Sequence, residues 1–366
     1  GNSILERRGF DIKDFFGDYL TTSDYVVNHT NRFSSGFGIS GGKEFGSFLI
    51  TTALSSNPFT LFSYNYIEEV RGKMTFDDGI IGNKDPLLGY HHYEVKGQLN
   101  RISLGLGIRY IMDESINLNL GLAYHKIPES SVHDLFSVDT LQSMDRFLAT
   151  IKPADITTQT YGSNFLSYAV EINFAQKFNL SLSIDPELEI KTGNISTPTL
   201  DTDSGLPRFI YGDTLSLVSN GVHYVKPHRK NIGISFLTHG STPVLISGDC
   251  SLADGYSITL NDSIDYFMKN TTSLRMGFEY ITLSKVPIRV GLVYKQSPFQ
   301  VIDPSTEITV GSSKTFGNLI FDFGLGFSSA QYSYPDLFPV DGDIRPTLDT
   351  VTESTFNYIF SIKYTL

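Results

Sequence analysis

The chain closes on "TFNYIFSIKYTL" (355–366), and every second residue of that stretch is large and apolar: Phe356, Tyr358, Phe360, Ile362, Tyr364 and Leu366. Between them stand Thr355, Asn357, Ile359, Ser361, Lys363 and Thr365, of which only Ile359 is apolar. Successive side chains of a β-strand point to opposite faces, so this reads as a strand with one apolar side. The end of a soluble domain is ordinarily frayed and polar. A strand that stays amphipathic to its last residue needs a partner along its whole length.

The same stripe recurs upstream. Ile102, Leu104, Leu106, Ile108 and Tyr110 alternate with Ser103, Gly105, Gly107 and Arg109. Ile116, Leu118, Leu120, Leu122 and Tyr124 oppose Asn117, Asn119, Gly121, Ala123 and His125. Stretches 165–174, 273–280, 288–295 and 319–328 repeat the pattern. Alternation of this length is a β signal, and tight links such as "IMDES", "KFN" and "TLSKVP" join the stripes into antiparallel hairpins. Weaker strands fit at 33–42, 46–55, 59–74, 88–97, 180–191, 208–218, 230–237, 243–252 and 306–315, for a total of about 14 within a range of 12–16. The other links are long and rich in Asp, Ser, Thr, Pro and Gly: 128–163, 192–229, 253–270 and 335–352. Inside the first, Leu141, Met144, Phe147, Leu148 and Ile151 share one helical face, so a helix is expected over 140–152. Residues 1–20 also read as a short helix.

Composition narrows the class. Of 366 residues, 18% are charged, below the roughly 25% of soluble proteins. Aromatics reach 13%, from 20 Tyr and 27 Phe without Trp. The net charge of −11 argues against a nucleic-acid partner, which needs a basic face. A single cysteine, Cys250, excludes an intrachain disulfide and a cysteine-built zinc site. No apolar run of about 20 residues exists to form a membrane helix. "GNSILERRGF" has no signal-peptide core, so the chain is expected to be cytoplasmic or a mature form with its signal removed.

The strands decide between those two. A soluble β-sandwich would place Lys, Glu and Thr on its wet face, whereas here that face is mostly Gly, Ser, Asn and Ala. Apolar stripes end in Tyr110, Tyr124, Tyr280, Tyr294 and Tyr364, as an interfacial aromatic girdle requires. Strands of about ten residues, with short and long links in alternation, match a barrel tilted across a bilayer. The expected fold is therefore an all-β, transmembrane antiparallel barrel in a bacterial outer membrane. In lipid the sheet has to close, so the first and last strands are expected to pair. The terminal pattern also resembles the signal by which such barrels are handed to the outer-membrane assembly machinery, with Tyr364 and Leu366 at its end.

The stretch "TTSLRMGFEYITLSKVPIRVGLVYKQSPF" (271–299) resembles the FadL-type family of long-chain fatty acid and hydrocarbon transporters, where "G.EY", a tight turn and "P.R.G..Y..SP" follow one another. "NRISLGLGIRYIMDESINLNLGLAYHKI" (100–127), "NIGISFL" with "PVLISGDCSL" (231–252) and "EITVGSSKTFGNLIFDFGLGFSSAQY" (307–332) are similar to further hairpins of that family. The resemblance implies a 14-stranded barrel plugged by an N-terminal hatch, here 1–32, ahead of the barrel proper, 33–366. It implies a groove in long extracellular loops, an interior apolar pocket with a basic group, and lateral exit through a kinked strand. The implied partners are a hydrophobic ligand such as a fatty acid and the membrane lipid. No cofactor is implied, and the barrel is expected to act as a monomer.

Candidate site residues follow. Arg109, Arg275, Arg289 and Lys295 fall on the luminal parity. They either read a carboxylate by charge-assisted hydrogen bonds or belong to a structural network with acids such as Glu171, Glu187, Glu189, Glu279 and Asp322. Leu141, Met144, Phe147 and Leu148 either line the extracellular groove or pack on the barrel mouth. Phe10, Phe15 and Phe16 either face the pocket or fill the plug. Pro186 removes a ladder hydrogen bond and marks a lateral opening or a strand end. The histidines lack metal spacing, and no nucleophile-elbow motif supports an enzyme. A polar-solute porin, an outer-membrane enzyme and a scaffold remain as alternatives to a hydrophobic-solute transporter.

Overall fold

The computed structural model describes residues 1–71, 87–113, 115–140, 154–196, 224–240, 242–260, 264–300, 302–335 and 348–366. Two strands open the chain, β1 (Asn2–Lys13) and β2 (Tyr19–Arg32), and β3 (Phe37–Phe45) follows after a break at 33–36. β4 (Phe48–Arg71) and β5 (Leu87–Ile111) are long, with 24 and 25 residues. Several wall strands then come in pieces. β6 (Ile116–Ile127) resumes past Pro128 as β7 (Ser130–Thr140), and β8 (Ala154–Thr160) resumes past Gly162 as β9 (Ser163–Phe174). β10 (Phe178–Asp185), β11 (Leu188–Ile190) and β12 (Thr192–Ser196) form one broken path, interrupted first at Pro186. β13 (Tyr224–Lys226) passes Pro227 into β14 (Arg229–Leu237), β15 (Val244–Ala253) leads to β16 (Tyr256–Leu260), and β17 (Ile264–Met268) leads to β18 (Thr271–Ile281). β19 (Pro287–Lys295), β20 (Ser305–Phe316), β21 (Leu319–Pro335) and β22 (Leu348–Tyr364) complete the sheet.

All pairings are antiparallel. One ladder runs β3–β4–β5–β6–β9–β10–β14–β15–β18–β19–β20–β21–β22–β1–β2. The pieces β7, β8, β12, β13, β16 and β17 extend their parent strands toward the long connections. With β2 and β3 taken as one kinked strand, the described residues supply fourteen wall strands. The expected pairing of first and last strands is present: Asn2 opposes Asn357, and the register runs to Gly9 opposite Thr350. The two ends of the ladder meet where β2 passes β4. There, side chains of β2 reach the backbone of β4: Ile67 N–H donates to Asn28 Oδ1 at 2.9 Å, and the Arg32 guanidinium donates to the Ser63 carbonyl at 2.7 Å. No backbone ladder joins β2 to β4 among the described residues.

The burial pattern is inverted relative to a soluble protein. Leu104 is 58% exposed while Ser103 beside it is 9% exposed. Phe278, Phe323, Phe360 and Tyr364 are also outward and exposed. A continuous belt of exposed large apolar side chains around a polar interior is the surface of a barrel in lipid. Tight turns gather at one end, the lower end below. Gly46 and Gly317 adopt φ +58 in two of them, a conformation that costs glycine little. Phe48 and Tyr110 stack at 4.9 Å at this end, and Phe174 lies 6.0 Å from Phe178, so aromatic rings mark the lower interface.

Three expectations change. Residues 1–32 are β1 and β2 of the main sheet instead of a hatch with a short helix over 1–20. The apolar residues that suggested a helix are in a strand because β22 and β2 supply backbone partners on both sides. The links 128–163 and 253–270 contain strand extensions, β7 with β8 and β16 with β17. The strand expected at 208–218 and the helix residues 141–152 lie outside the described residues.

A bulge in β4 sets up the interior. Its register with β5 skips Phe59, passing from Pro58 opposite Asn100 to Thr60 opposite Leu99. Below the bulge the odd residues of β4 face the lumen, and above it the even ones do, which turns Phe62, Tyr64, Tyr66 and Glu68 inward. If the outer belt faces lipid, Leu104→Lys destabilises the folded barrel by about 2–4 kcal/mol in vesicle refolding titrations, whereas luminal Gly105→Ala is tolerated.

Candidate functional site

Above the bulge the lumen holds an apolar cluster of Leu99, Ile127, Phe165, Leu188 and Ile190, with Phe59 and Phe62 packed on it. These residues come from β4, β5, β6, β9 and β11, each on the luminal parity of its strand. Leu99, Ile127 and Ile190 are fully buried. Apolar packing inside a barrel whose outside is also apolar is a second hydrophobic environment, separate from the lipid belt.

Cations rim this cluster. Lys226 Nζ lies 4.7 Å from the ring centre of Phe165 and 5.9 Å from that of Phe59, and it pairs with Asp185 at 3.4 Å. Arg229 opposes Asp185 in the β10–β14 register. Arg101, two residues from Leu99 on the same face, is in electrostatic reach of both Lys226 and His125. Its Nε is buried and has no hydrogen-bond partner among the described residues. Arg101 and Arg229 thus lie in electrostatic reach of Lys226, which Asp185 pairs, and Arg101 keeps a buried donor unmatched among the described residues. A buried unmatched donor is costly, and an anionic oxygen satisfies it best.

His125 sits at the base of the cluster. Its two ring nitrogens lie 2.8 Å from the hydroxyls of Ser103 and Ser167, and its ring lies tilted against that of Phe165 at 4.5 Å. A Ser–His pair raises the question of catalysis. Neither nitrogen bonds a carboxylate, however, and the pair straps together three wall strands, β5, β6 and β9. Sequence parity puts His125, Arg101 and Phe165 inward, but their mutual contact depends on pairings that local sequence does not show.

The four expected cations lie lower in the lumen, each with a neighbour. Arg289 bonds Glu279 at 2.5 Å and Asp322 at 3.2 Å, so two acids answer one guanidinium. Arg275 meets Asp249 at 2.9 Å, and Lys295 meets Glu307 at 3.3 Å. Arg109 donates to Asn119 Oδ1, whose amide nitrogen donates to Glu171. These cross-strand pairs line a lumen kept wide by Gly277, Gly291, Gly311 and Gly324, with cavities of about 510 and 590 Å³ on its two sides.

Phe15 and Phe16 stand away from the interior. They sit at the tip of the β1–β2 hairpin, 98% and 86% exposed, with their rings edge to face at 5.7 Å. Phe10 lies lower, 6.2 Å from Tyr25. Leu141, Met144, Phe147 and Leu148 lie outside the described residues.

Pro186 breaks the wall beside the cluster. The β10–β14 ladder ends at Asp185 opposite Arg229, and pairing resumes only at Leu188 opposite Lys226, with Pro186 and Pro227 in the interval. On the other side, β10 leaves β9 after Ile184 opposite Tyr168, and the next backbone contact is Tyr161 N–H to the Lys191 carbonyl at 2.9 Å. Between these points the wall holds Phe165, Leu188 and Ile190 side by side.

No protein-family model matches the sequence, and no curated protein matches it. Solved structures do. A FadL homologue of Pseudomonas aeruginosa superposes with a TM-score of 0.54 over 99% of this chain and 88% of that one, at 9% identity. The chain has the fold of a FadL homologue. The toluene transporter TodX of Pseudomonas putida follows at a TM-score of 0.46 and 10% identity, covering 98% of this chain and 88% of that one. The CymD monoaromatic hydrocarbon channel gives 0.40 and 10%, covering 100% and 87%. A FadL-type barrel with a lipid-facing apolar belt is an outer-membrane architecture. Because Leu99 is fully buried inside this FadL-type lumen, Leu99→Ala is expected to destabilise the barrel by about 2–5 kcal/mol in urea unfolding.

Proposed function

We propose that the chain is a passive outer-membrane transporter for hydrophobic small molecules carrying an acidic head, with long-chain fatty acids as the type ligand. The apolar cluster of β4, β5, β6, β9 and β11 takes the chain of the ligand. Arg101 takes its carboxylate, with Lys226 beside it. The observation that carries this reading is the buried, unmatched Arg101 Nε at the edge of an apolar cluster. Arg109, Arg275, Arg289 and Lys295 are weaker choices, because each already has an amide or acid partner. They form a wet polar wall below the pocket.

The exit in this reading is sideways, between β9 and β11. Two facts support it: the ladder lapses on both sides of Pro186, and the side chains filling that interval are those of the pocket. A ligand leaving there passes from one apolar environment to another without crossing water, which costs little.

Two experiments test the parts separately. Arg101→Gln is expected to weaken palmitate binding by roughly tenfold or more, as a charge-assisted hydrogen bond of about 1.5–3 kcal/mol predicts, and to leave hexadecane binding unchanged. Arg289→Ala serves as the control and changes neither. Equal losses for palmitate and hexadecane would discard the carboxylate assignment. For the exit, Ser163 Oγ donates to the Glu189 carbonyl at 3.3 Å across the interval. A bulky methanethiosulfonate label joined by a disulfide to Ser163→Cys in a Cys250→Ser background is expected to cut fatty acid uptake into vesicles by about tenfold. Palmitate binding is expected to survive, and reductant to restore uptake. Unchanged uptake with the label attached would rule out this exit.

A further inference from the structure

A second buried cluster adjoins the apolar one in the upper lumen, and the proposed transport route does not use it. Its centre is Arg8 of β1, 4% exposed. Arg8 Nε bonds Glu6 Oε1 at 2.5 Å, and Nη2 donates to the Tyr64 hydroxyl at 3.1 Å. That hydroxyl donates in turn to Glu6 Oε1 at 3.1 Å, which closes a ring of three groups. The guanidinium carbon also lies 5.0 Å from the Tyr66 ring centre and 5.4 Å from that of Tyr334. Around it, Tyr66 donates to Glu68 and Tyr332 donates to Glu353.

The placement of these contacts gives Arg8 its role. Tyr64 and Tyr66 are on β4, beyond β2 on one side, while Tyr334 is on β21, beyond β22 on the other. One side chain therefore ties an arc of five neighbouring strands from inside. That arc includes the β2–β4 junction, where side chains replace the backbone ladder. On β4 the polar cluster is continuous with the apolar one: Phe62 packs on the apolar core, and Tyr64 two residues later bonds Arg8. Side chains lining the upper lumen thus change from polar on the β1 side to apolar on the β11 side. Below them the lumen is lined with small and charged residues.

We propose that the two clusters together form a septum across the upper lumen and that the Arg8 half is the ion seal of the barrel. A guanidinium held by a carboxylate, a phenol and two ring faces leaves no room for a hydrated ion, and each partner is satisfied without water. Without Arg8, Glu6 is a buried carboxylate with no cation bonded to it among the described residues, and such a group draws in water. The apolar half of the septum admits hydrophobic solutes while the polar half keeps electrolytes out.

The test is conductance of the full chain in planar lipid bilayers bathed in potassium chloride, with no hydrophobic ligand present. Wild type is expected to conduct weakly. Arg8→Ala is expected to raise single-channel conductance at least several-fold. Arg8→Lys, which keeps a cation over the rings, stays near wild type, and Tyr334→Leu, which removes one ring face but leaves the Glu6 bond, falls between. Heat-modifiable gel mobility verifies that each variant is a folded barrel. Folded Arg8→Ala at wild-type conductance overturns the proposal. If Arg8→Ala does not assemble, Tyr334→Leu and Tyr64→Phe decide alone, and unchanged conductance in both overturns it. Palmitate binding is measured on the same samples, so a failed seal and a failed transport reading give different results.

Discussion

A bilayer offers no water to an unpaired peptide group, so a chain that crosses it must pair every N–H and C=O within itself. The ladder from β3 round to β2 meets that demand over most of the described wall. Its lapses are then the informative places. At the β2–β4 junction, Asn28 and Arg32 side chains bond the Ile67 and Ser63 backbone in place of a neighbouring strand. At the break, Pro186 and Pro227 carry no N–H, so two of the four residues in the interval leave no donor to pair. Both lapses lie in the upper half, and both are backed by packed side chains from inside. The wall is regular where it only separates lipid from lumen, and irregular where the interior is filled.

That division explains how much of the fold the sequence discloses. The lower half of the wall reads directly. Stripes such as Ile102 to Tyr110 and Phe356 to Tyr364 keep one parity because nothing interrupts them. The upper half does not read so easily. The extra residue at Phe59 turns Phe62, Tyr64 and Tyr66 to the lumen, although they continue the even parity of the outward Ile50 and Leu54, and a period-two pattern cannot reveal a one-residue slip. β1 is harder still. Its apolar residues suit a short helix, and its strand character comes from β22, more than three hundred residues later. Long-range pairing of that kind has no local signature.

Charges follow the same rule. Parity correctly turns Arg109, Arg275 and Arg289 inward, since each bonds luminal groups on adjoining strands. Parity does not tell a matched cation from an unmatched one. Arg289, between Ile288 and Val290, and Arg101, between Asn100 and Ile102, are alike in sequence in lying on the luminal parity of a strand. They differ because Glu279 and Asp322 lie beside one, and Leu99 with the apolar cluster lies beside the other. An arginine answered by two acids gains little from a ligand carboxylate, which must displace them. An arginine with a buried free donor gains the full bond. The distinction depends on neighbours brought together by β5, β6, β9 and β11.

The two halves of the proposed septum also answer a problem that any passive barrel for apolar cargo faces. A water-filled lumen wide enough for such a solute would let ions through as well, and would give the solute no reason to enter. Filling the lumen with apolar side chains alone would attract the cargo, but it would leave the irregular backbone at β2–β4 without polar partners. Polar side chains on the β1 side and apolar ones on the β11 side satisfy both needs at once. The carboxylates Glu6, Glu68 and Glu353 take up phenol and guanidinium donors near the junction. Across β4, Phe62 and Phe59 begin the surface that an alkyl chain can replace contact for contact. In the proposed reading, closure against ions and access for hydrophobic molecules fall to different side chains of the same septum, and β4, turned inward by its bulge, belongs to both.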